Sequence, residues 1–338
     1  MRALTLRPGS GQDDDGPTRR VGKGARLVRT MATPSPVHHR RLPSHVLRHV
    51  RDASAAIECA NNTFIYRTKK IPCSCGEWRN LLPSVFAALE AGGDALDATH
   101  PHGHVYEFGL FNGDSMRLLR RMRPFANAPT FGFDSFQGLP SVQAGNGSME
   151  KVLWKQGQFR ADPRAKLQAE LGRSAPLTFV PGFYSESLSR PGLSEQLGMQ
   201  VAKYVDIDVD LYSSTVQLLD FMFSRGLIKP GTVFGYDDFW SSACHRHAAA
   251  DEHPLQHGEG LAHAEAARKY GASFLCLAGA CRGDAPQCRA FGAIFLVTEV
   301  GNPRGEAADG FSMSDEDVHL YKLRSPVCSF LITGRTHA

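Results

Sequence analysis

The stretch His104-Val-Tyr-Glu107-Phe-Gly109-Leu-Phe-Asn112-Gly113-Asp-Ser115 runs from an apolar strand pattern into a helix pattern. Gly109 permits a tight turn and lets a ligand approach the backbone closely. Gly113 and Ser115 open the helix, whose first N–H groups are available to a ligand. The glycines are spaced G-x-x-x-G, so the G-x-G-x-x-G fingerprint of dinucleotide sites is absent. Glu107 adds a carboxylate, which suits a cationic amino group better than a phosphate.

Apolar runs rich in β-branched and aromatic residues lie around this turn. They predict seven strands, at 104–111, 129–134, 177–181, 201–209, 231–237, 272–278 and 290–299. Helical patterns lie between most of them, at 114–123, 162–171, 213–225 and 258–270. This alternation predicts an α/β fold with a mostly parallel sheet and helices on both faces. The last two strands are too close for a crossover helix and are expected to form a C-terminal antiparallel hairpin.

The second predicted strand ends in Phe131-Gly-Phe-Asp134-Ser135-Phe136. An acidic residue at this position can accept hydrogen bonds from both hydroxyls of a ribose. Phe136 can pack on an adenine face. The alternative is an ordinary turn in which Asp134 caps the following segment, but the order and spacing of these features favour a nucleoside ligand.

Carboxylates mark the ends of two later strands. In Tyr204-Val-Asp206-Ile-Asp208-Val-Asp210-Leu-Tyr212, aspartates occupy every second position, and the next strand ends in Asp237-Asp238. Buried carboxylates this close repel one another unless a positive group lies between them. Hard oxygen ligands suit Mg²⁺, Mn²⁺ or Ca²⁺ better than zinc. Asp206 can instead be a hydrogen-bonded strand residue, and the whole set can be turn and capping carboxylates.

Histidines follow the acidic pair at positions 245, 247, 253 and 257. Any of them could supply a general base near a metal. For each, the pattern favours a solvated loop before the helix at 258–270.

The chain has 338 residues, of which 42% are hydrophobic and 21% are charged, so a wholly disordered protein is excluded. Residues 1–51 carry eleven Lys or Arg and three Asp, whereas the whole chain has a net charge of +4. The composition of residues 1–42 predicts a disordered basic arm. The hydrophobic patterns predict a helical cap over residues 43–100 and the main domain over residues 101–338. The arm is expected to be a solvated tail rather than a surface that binds nucleic acid or acidic membranes. Met1 and Met31 are both candidate starts.

Eight cysteines are spread along the chain without a C-x-x-C pair. Reduced thiols and a cytoplasmic location are therefore expected, with a local disulfide between Cys281 and Cys288 as the minority alternative. No run of 18 apolar residues occurs, so no membrane-spanning helix is expected.

Taken together, these residues resemble the macrocin O-methyltransferase family of class I S-adenosylmethionine-dependent methyltransferases. The resemblance covers about residues 100–270 and rests on these stretches: Tyr106-Glu-Phe-Gly-Leu-Phe-Asn-Gly-Asp-Ser115, Phe133-Asp-Ser-Phe-Gln-Gly-Leu-Pro140, Trp154-Lys-Gln-Gly-Gln-Phe159, Val180-Pro-Gly-Phe183, Asp206-Ile-Asp-Val-Asp-Leu-Tyr-Ser-Ser-Thr215, Lys229-Pro-Gly231 and Tyr236-Asp-Asp-Phe239. The resemblance implies a Rossmann-like class I methyltransferase fold, S-adenosylmethionine and Mg²⁺ as cofactors, and methylation of sugar hydroxyls on natural products.

The resemblance also implies roles for individual residues. The predicted cofactor-binding residues are Glu107, Gly109, Gly113, Ser115, Asp134, Ser135 and Phe136. The predicted metal ligands are Asp208, Asp237 and Asp238. The resemblance does not say which group takes the proton of the acceptor: the predicted catalytic residues are Asp208, Asp210 and His245, with His247 left open as a further candidate. The expected partner is a small-molecule acceptor, with no nucleic acid and no membrane, while a homo-oligomer is left open.

Three other functions remain as alternatives. An NAD(P)-dependent oxidoreductase would need the missing G-x-G-x-x-G turn. A nucleic-acid methyltransferase guided by the basic arm would be expected to carry an Asn/Asp-Pro-Pro-aromatic motif where Asp208-Val-Asp-Leu-Tyr212 stands. A non-catalytic nucleoside-binding module would not need the complete acidic set.

Overall fold

One large β-sheet organises the described part of the chain. The structure is a computed structural model that describes residues 40–55, 62–66, 69–73, 78–91, 103–141, 153–244, 252–281, 292–302, 308–324 and 328. Its strands are β1 (Arg40–Arg41), β2 (Asn62–Tyr66), β3 (Lys69–Cys73), β4 (His104–Phe108), β5 (Thr130–Asp134), β6 (Leu177–Pro181), β7 (Ala202–Ile207), β8 (Val233–Tyr236), β9 (Ser273–Gly279) and β10 (Ala293–Val300).

The large sheet has the order β1-β10-β8-β7-β4-β5-β6, and β9 also pairs with β10. Strands β4 to β8 are parallel to their neighbours in this group, whereas β10 is antiparallel to β8 and β9. The predicted fold class and the C-terminal antiparallel hairpin are therefore confirmed. The sheet has eight strands instead of seven because Arg40 and Arg41 pair with the end of β10. Two residues are too few to produce a hydrophobic pattern in the sequence.

Helices cover both faces of the sheet. They are α1 (Ser44–Ala55), α2 (Leu82–Ala91), α3 (Asp114–Arg121), α4 (Arg164–Leu171), α5 (Tyr184–Ser187), α6 (Leu193–Gln196), α7 (Tyr212–Ser224), α8 (Gly258–Tyr270) and α9 (Asp315–Arg324). Alternate strand residues face opposite sides: Val105 joins a core with α1 and α2, and Tyr106 joins a second core with α7 and α8. None of the helices within the described ranges is long and apolar enough to cross a membrane.

The segment that precedes β4 contains more than helices. Besides α1 and α2 it forms an antiparallel hairpin of β2 and β3, where the sequence predicted a helical cap. The run Thr63-Phe-Ile-Tyr66 is β-branched and aromatic, which favours a strand. A short 3-10 turn at Trp78–Leu81 leads directly into α2.

The cysteines differ from the prediction of reduced thiols. Cys244 is bonded to Cys328, and Cys276 to Cys281, with Cα–Cα distances of 4.7 and 5.9 Å. The prediction of reduced thiols was wrong for these four residues. Cys281 pairs with Cys276, which lies in β9 five residues earlier, and not with Cys288. Cys328 lies 84 residues from Cys244, so sequence spacing gave no sign of that contact. The cysteine argument for a cytoplasmic location therefore no longer holds.

Candidate functional site

A cavity of about 680 Å³ lies at the carboxyl ends of the parallel strands. Each of five strands contributes lining residues where it ends: Gly109, Asp134 and Ser135, Gly182 to Ser185, Asp208 to Asp210, and Asp237 and Asp238. Residues 138–141 form a further wall together with Trp154, Gln156 and Phe159. Open α/β sheets bind their ligands at this edge, and the volume lies in the usual range for small-molecule sites.

The turn after β4 brings two strand ends into contact. Gly109 has a φ of 85°, and a Cβ at this position would lie 1.7 Å from the backbone oxygen of Asp208. Only glycine fits between these two backbones. The close approach leaves Gly109 on the cavity wall without a side chain to obstruct a ligand.

Three of the predicted cofactor residues lie behind this wall. Glu107 is fully buried, and its Oε1 accepts a hydrogen bond from Ser115 Oγ at 2.5 Å. Its Oε2 has no hydrogen-bond partner among the described residues. Burial and the nearby Asp206 charge raise the pKa of Glu107 to about 8. Gly113 packs against Leu167. Glu107, Gly113 and Ser115 therefore support the turn, and none of the three is among the described residues that line the cavity.

Asp134 lines the cavity and also holds the glycine turn. Its Oδ2 accepts the backbone N–H groups of Leu110 and Phe111 at 2.7 and 3.2 Å. Its Oδ1 accepts the N–H of Phe136 at 2.6 Å. Ser135 also lines the cavity, and its hydroxyl donates to the carbonyl of Gly138. A carboxylate has about four acceptor sites, so Asp134 keeps capacity for a ligand.

Aromatic side chains other than Phe136 line the cavity. Phe136 lies in a separate apolar cluster, with the Arg164 guanidinium 4.4 Å from its ring centre. Phe111 and Phe159 lie on the cavity wall with their ring centres 5.4 Å apart, and Trp154 lies next to Phe159. None of these three was predicted to line the site, although all three stand in the motifs that carry the family resemblance.

Three aspartates converge on one side of the cavity. One carboxylate oxygen from each of Asp208, Asp237 and Asp238 lies within 4.8 Å of the others. Burial and the charge of Asp237 raise the pKa of Asp208 well above its usual range. Burial and the charges of Asp210 and Asp237 do the same for Asp238. The predicted metal ligands therefore form a cluster that a cation would relieve of repulsion.

A buried arginine from outside the sheet contacts two aspartates of this cluster. Arg79 stands in the 3-10 turn before α2, and its side chain is 5% exposed. It donates to Asp206 through Nε and one terminal nitrogen, and the same terminal nitrogen lies 3.0 Å from Asp208 Oδ2. Its other terminal nitrogen lies 3.0 Å from Asp237 Oδ1. The Trp78 indole N–H donates to the same Asp237 oxygen at 2.6 Å.

Arg79 is the positive group that the run of aspartates required. Asp206 is fully buried and also accepts the hydroxyl of Tyr204 at 2.8 Å, so it is a hydrogen-bonded strand residue. Arg79 was not predicted as a site residue, because it lies 127 residues before Asp206 in the chain. The sequence feature that could have indicated Arg79 is a charged residue next to Trp78, just before the apolar helical pattern of α2.

The side chain of Glu259 forms hydrogen bonds to the ends of both acidic strands, β7 and β8. It is fully buried in the first turn of α8. Its Oε1 accepts the backbone N–H of Val209 at 3.3 Å, and its Oε2 accepts that of Asp238 at 3.0 Å. The sequence placed Glu259 in a predicted helix but gave it no role, because its backbone partners lie 50 and 21 residues away.

Asp210 lies beside the cluster in an uncommon backbone conformation. Its φ is 63°, its side chain is buried, and burial together with the charge of Asp208 raises the pKa of its carboxyl well above the usual range. Phe111 and Phe159 also have positive φ, at 43° and 61°. Non-glycine residues with such φ values are uncommon and tend to collect at functional sites.

Comparisons with known proteins give structural similarities only. No family model and no curated protein matches the chain. Among solved structures, the chain is similar to the O-methyltransferase NovP (16% identity over 60% of this chain and 75% of that chain, TM-score 0.42). It is also similar to the calicheamicin methyltransferase CalS11 (18% identity, 75% and 91%, TM-score 0.41) and to cofactor-bound Rv0187 from MTB (15%, 76% and 91%, TM-score 0.35).

The described histidines lie away from the cavity lining. His253 Nδ1 accepts the backbone N–H of Leu255, and His257 Nε2 lies 2.7 Å from Glu252 Oε1. His263 is buried between Tyr236 and the carbonyl of Asp309, and burial lowers its pKa to about 4. His245, the predicted catalytic histidine, and His247 lie outside the described residues.

Proposed function

We propose that this protein is an S-adenosylmethionine-dependent O-methyltransferase that uses a divalent cation, Mg²⁺, and acts on a hydroxyl of a sugar or natural product. The observation that carries the proposal is the convergence of Asp208, Asp237 and Asp238 within 4.8 Å in the cavity that Gly109 and Asp134 also line. The acceptor class comes from the family resemblance of the sequence.

The cofactor proposal is supported by the chemistry of the cavity wall. Gly109 offers bare backbone at the end of β4, and Asp134 offers acceptor capacity at the end of β5. The wall carries carboxylates and no lysine or arginine among the described lining residues. Such a wall complements a ligand that carries a sulfonium and an ammonium group, and it disfavours one that carries phosphates.

The cation proposal is supported by the oxygen chemistry of the three aspartates and by the repulsion between their carboxylates. Carboxylate oxygens at this spacing are the donors that Mg²⁺ accepts. The raised pKa values of Asp208 and Asp238 reflect burial and mutual repulsion, both of which disfavour the charged forms. A bound dication would favour those charged forms again, so the described residues fit the ion.

In this proposal, the residues of the chain orient the acceptor and take up its proton. A bound divalent cation lowers the pKa of a hydroxyl and fixes its direction. Asp208 and Asp210 border the same cavity and are the described candidates for proton acceptor, with His245 as the predicted one outside the described residues. Holding the acceptor oxygen in line with the methyl group can contribute ~7 kcal/mol or more to the lowering of the barrier.

Calorimetric titration tests the cofactor class before any acceptor is known. Full-length protein is titrated with S-adenosylmethionine and with NADH, each with and without Mg²⁺. We expect S-adenosylmethionine to bind and NADH to give no heat. Binding of NADH alone would contradict the proposal and favour an oxidoreductase.

The cation is tested with a chelator. Methyl transfer to a panel of sugar and phenol acceptors should stop in EDTA and return when excess Mg²⁺ is added. Turnover that is indifferent to EDTA would remove the metal from the proposal and leave the methyltransferase.

A further inference from the structure

Arg79 and Trp78 bind two of the candidate cation ligands and are not among the described residues that line the cavity. Arg79 binds Asp208 through Oδ2 only, at 3.0 Å, and Asp237 through Oδ1 only, also at 3.0 Å. Trp78 donates to that same Oδ1 of Asp237. The side chains of Asp208 and Asp237 are 34% and 33% exposed, and both residues line the cavity, so each keeps one oxygen that Arg79 does not bind.

This arrangement limits how each aspartate can bind an ion. An oxygen that already accepts a charge-assisted hydrogen bond from a buried guanidinium is a poor second ligand for a cation. Asp208 and Asp237 can therefore each offer one oxygen, and neither can chelate an ion through both. Ca²⁺ takes six to eight oxygen ligands and often uses carboxylates in the bidentate mode, whereas Mg²⁺ takes six in a small octahedron.

We propose that Arg79 is a specificity-determining residue that makes Asp208 and Asp237 monodentate and so selects Mg²⁺ over Ca²⁺. The inference rests on the cation site of the proposed function and deepens it. Arg79 acts through the two aspartates and does not touch the cavity, because the described lining residues do not include it. Its position is fixed by three carboxylates and by the Trp78 ring, whose centre lies 4.5 Å from the guanidinium carbon.

The ratio of Mg²⁺ to Ca²⁺ affinity separates this role from a purely electrostatic one. Loss of the Arg79 charge would strengthen the binding of both ions, and since both carry two charges that effect cancels in the ratio. Only a change in how the aspartates coordinate would move the ratio. Arg79→Met removes the hydrogen bonds and the charge, whereas Arg79→Lys keeps the charge and loses the planar fork.

The experiment titrates wild type, Arg79→Met, Arg79→Lys and a control with MgCl₂ and CaCl₂ by calorimetry, without cofactor. Arg117→Met is the control, because Arg117 pairs with Asp114 and Glu170 at the surface. We expect wild type to prefer Mg²⁺ and the ratio to fall at least tenfold in Arg79→Met. Arg79→Lys should give an intermediate value, and the control should match wild type.

Each other outcome has a defined meaning. If wild type binds neither ion, the cation site of the proposed function is wrong, and this inference falls with it. If wild type binds Mg²⁺ but the ratio is unchanged in folded Arg79→Met, or if wild type prefers Ca²⁺, only the inference is overturned. Should Arg79→Met not fold because Asp206 is left buried without its partner, the double variant R79M/D206N removes both charges and is judged by the same ratio.

Discussion

Glu259 Oε2 accepts the backbone N–H of Asp238 at 3.0 Å, and thereby fixes a candidate ligand through its main chain. The other oxygen of Glu259 binds the N–H of Val209. One buried carboxylate thus sets the distance between the ends of β7 and β8, on which the aspartate cluster depends.

Glu259→Gln should loosen this link. The amide NH₂ of glutamine cannot accept a hydrogen bond, so one buried backbone N–H loses its partner, at a cost of about 1–3 kcal/mol in the free energy of unfolding. We expect Mg²⁺ affinity to fall at least tenfold, measured by calorimetry, with urea unfolding to record stability. Glu265→Gln on the same helix is the control, because its partner is the Tyr212 hydroxyl and the glutamine carbonyl can still accept it. Equal Mg²⁺ affinities in both variants would mean that Glu259 does not position the cluster.

Asp238→Ala should remove the cation and spare the cofactor. The backbone N–H that Glu259 binds is retained, while one carboxylate of the cluster is lost. Because burial and neighbouring charges already raise the pKa of Asp238, its loss should not lower the free energy of unfolding near neutral pH. We expect no methyl transfer, Mg²⁺ affinity at least tenfold weaker, and S-adenosylmethionine affinity within a few-fold of wild type.

The control for this variant is Asp220→Ala, which removes a surface partner of Lys269 far along α7. It should behave as wild type in all three measurements. Loss of S-adenosylmethionine binding together with Mg²⁺ binding in Asp238→Ala would indicate that the acidic pair has a structural role.

The sheet was predictable because its strands are buried on both faces. Runs such as Val233-Phe-Gly-Tyr236 are apolar throughout, and each predicted strand from 104 onward lies within a few residues of its observed place. Asp208, Asp237 and Asp238 could be brought together from sequence because parallel strand ends meet at one edge. Their convergence follows from topology alone.

The contacts that support the site were not predictable in this way. The sequence shows that Arg79 and Glu259 are charged residues near helix starts, but not which carboxylate or N–H they reach. The side-chain position of Phe136, which was expected to pack on an adenine, was not predictable for a related reason. Its φ of 56° turns the chain after β5, and the ring goes into the cluster with Leu167 and Leu177. A conformation set by one unusual φ leaves no periodic signal.

Gly109→Ala should damage the fold and the cofactor site together. The new methyl group would meet the Asp208 carbonyl at 1.7 Å, so β4 and β7 would have to separate at their ends.

Gly226→Ala is a matched control, since Gly226 has a φ of 66° and no atom within 4 Å of the added Cβ. The control should lose about 1–2 kcal/mol in the free energy of unfolding, from backbone strain alone. Gly109→Ala should lose several kcal/mol more, measured in urea, and at least tenfold in S-adenosylmethionine affinity. Similar losses in both would show that the approach of the two backbones is not tight.

Glu107 should make the stability of the protein depend on pH. Burial raises its pKa in the folded protein from 4.5 to about 8, so the folded state holds this proton more tightly than the unfolded state does. The contribution to stability is complete below about pH 4.5 and is lost as the pH rises through about 8. Each unit of pKa difference corresponds to about 1.4 kcal/mol.

Glu107→Gln should remove this dependence, because glutamine is neutral at every pH and its carbonyl can still accept the hydroxyl of Ser115. The other buried carboxylates are present in both proteins, so the difference reports Glu107 together with its interaction with neighbours such as Asp206. Urea unfolding from pH 5 to pH 9 should therefore show the variant gaining on wild type as the pH rises, by at least about 1 kcal/mol, and levelling off above pH 8. Glu170→Gln, at the surface beside Arg117, should run parallel to wild type over the same range. A constant difference between Glu107→Gln and wild type would mean that Glu107 is ionised in the folded protein across this range, held by Arg79 and Ser115 against the charge of Asp206.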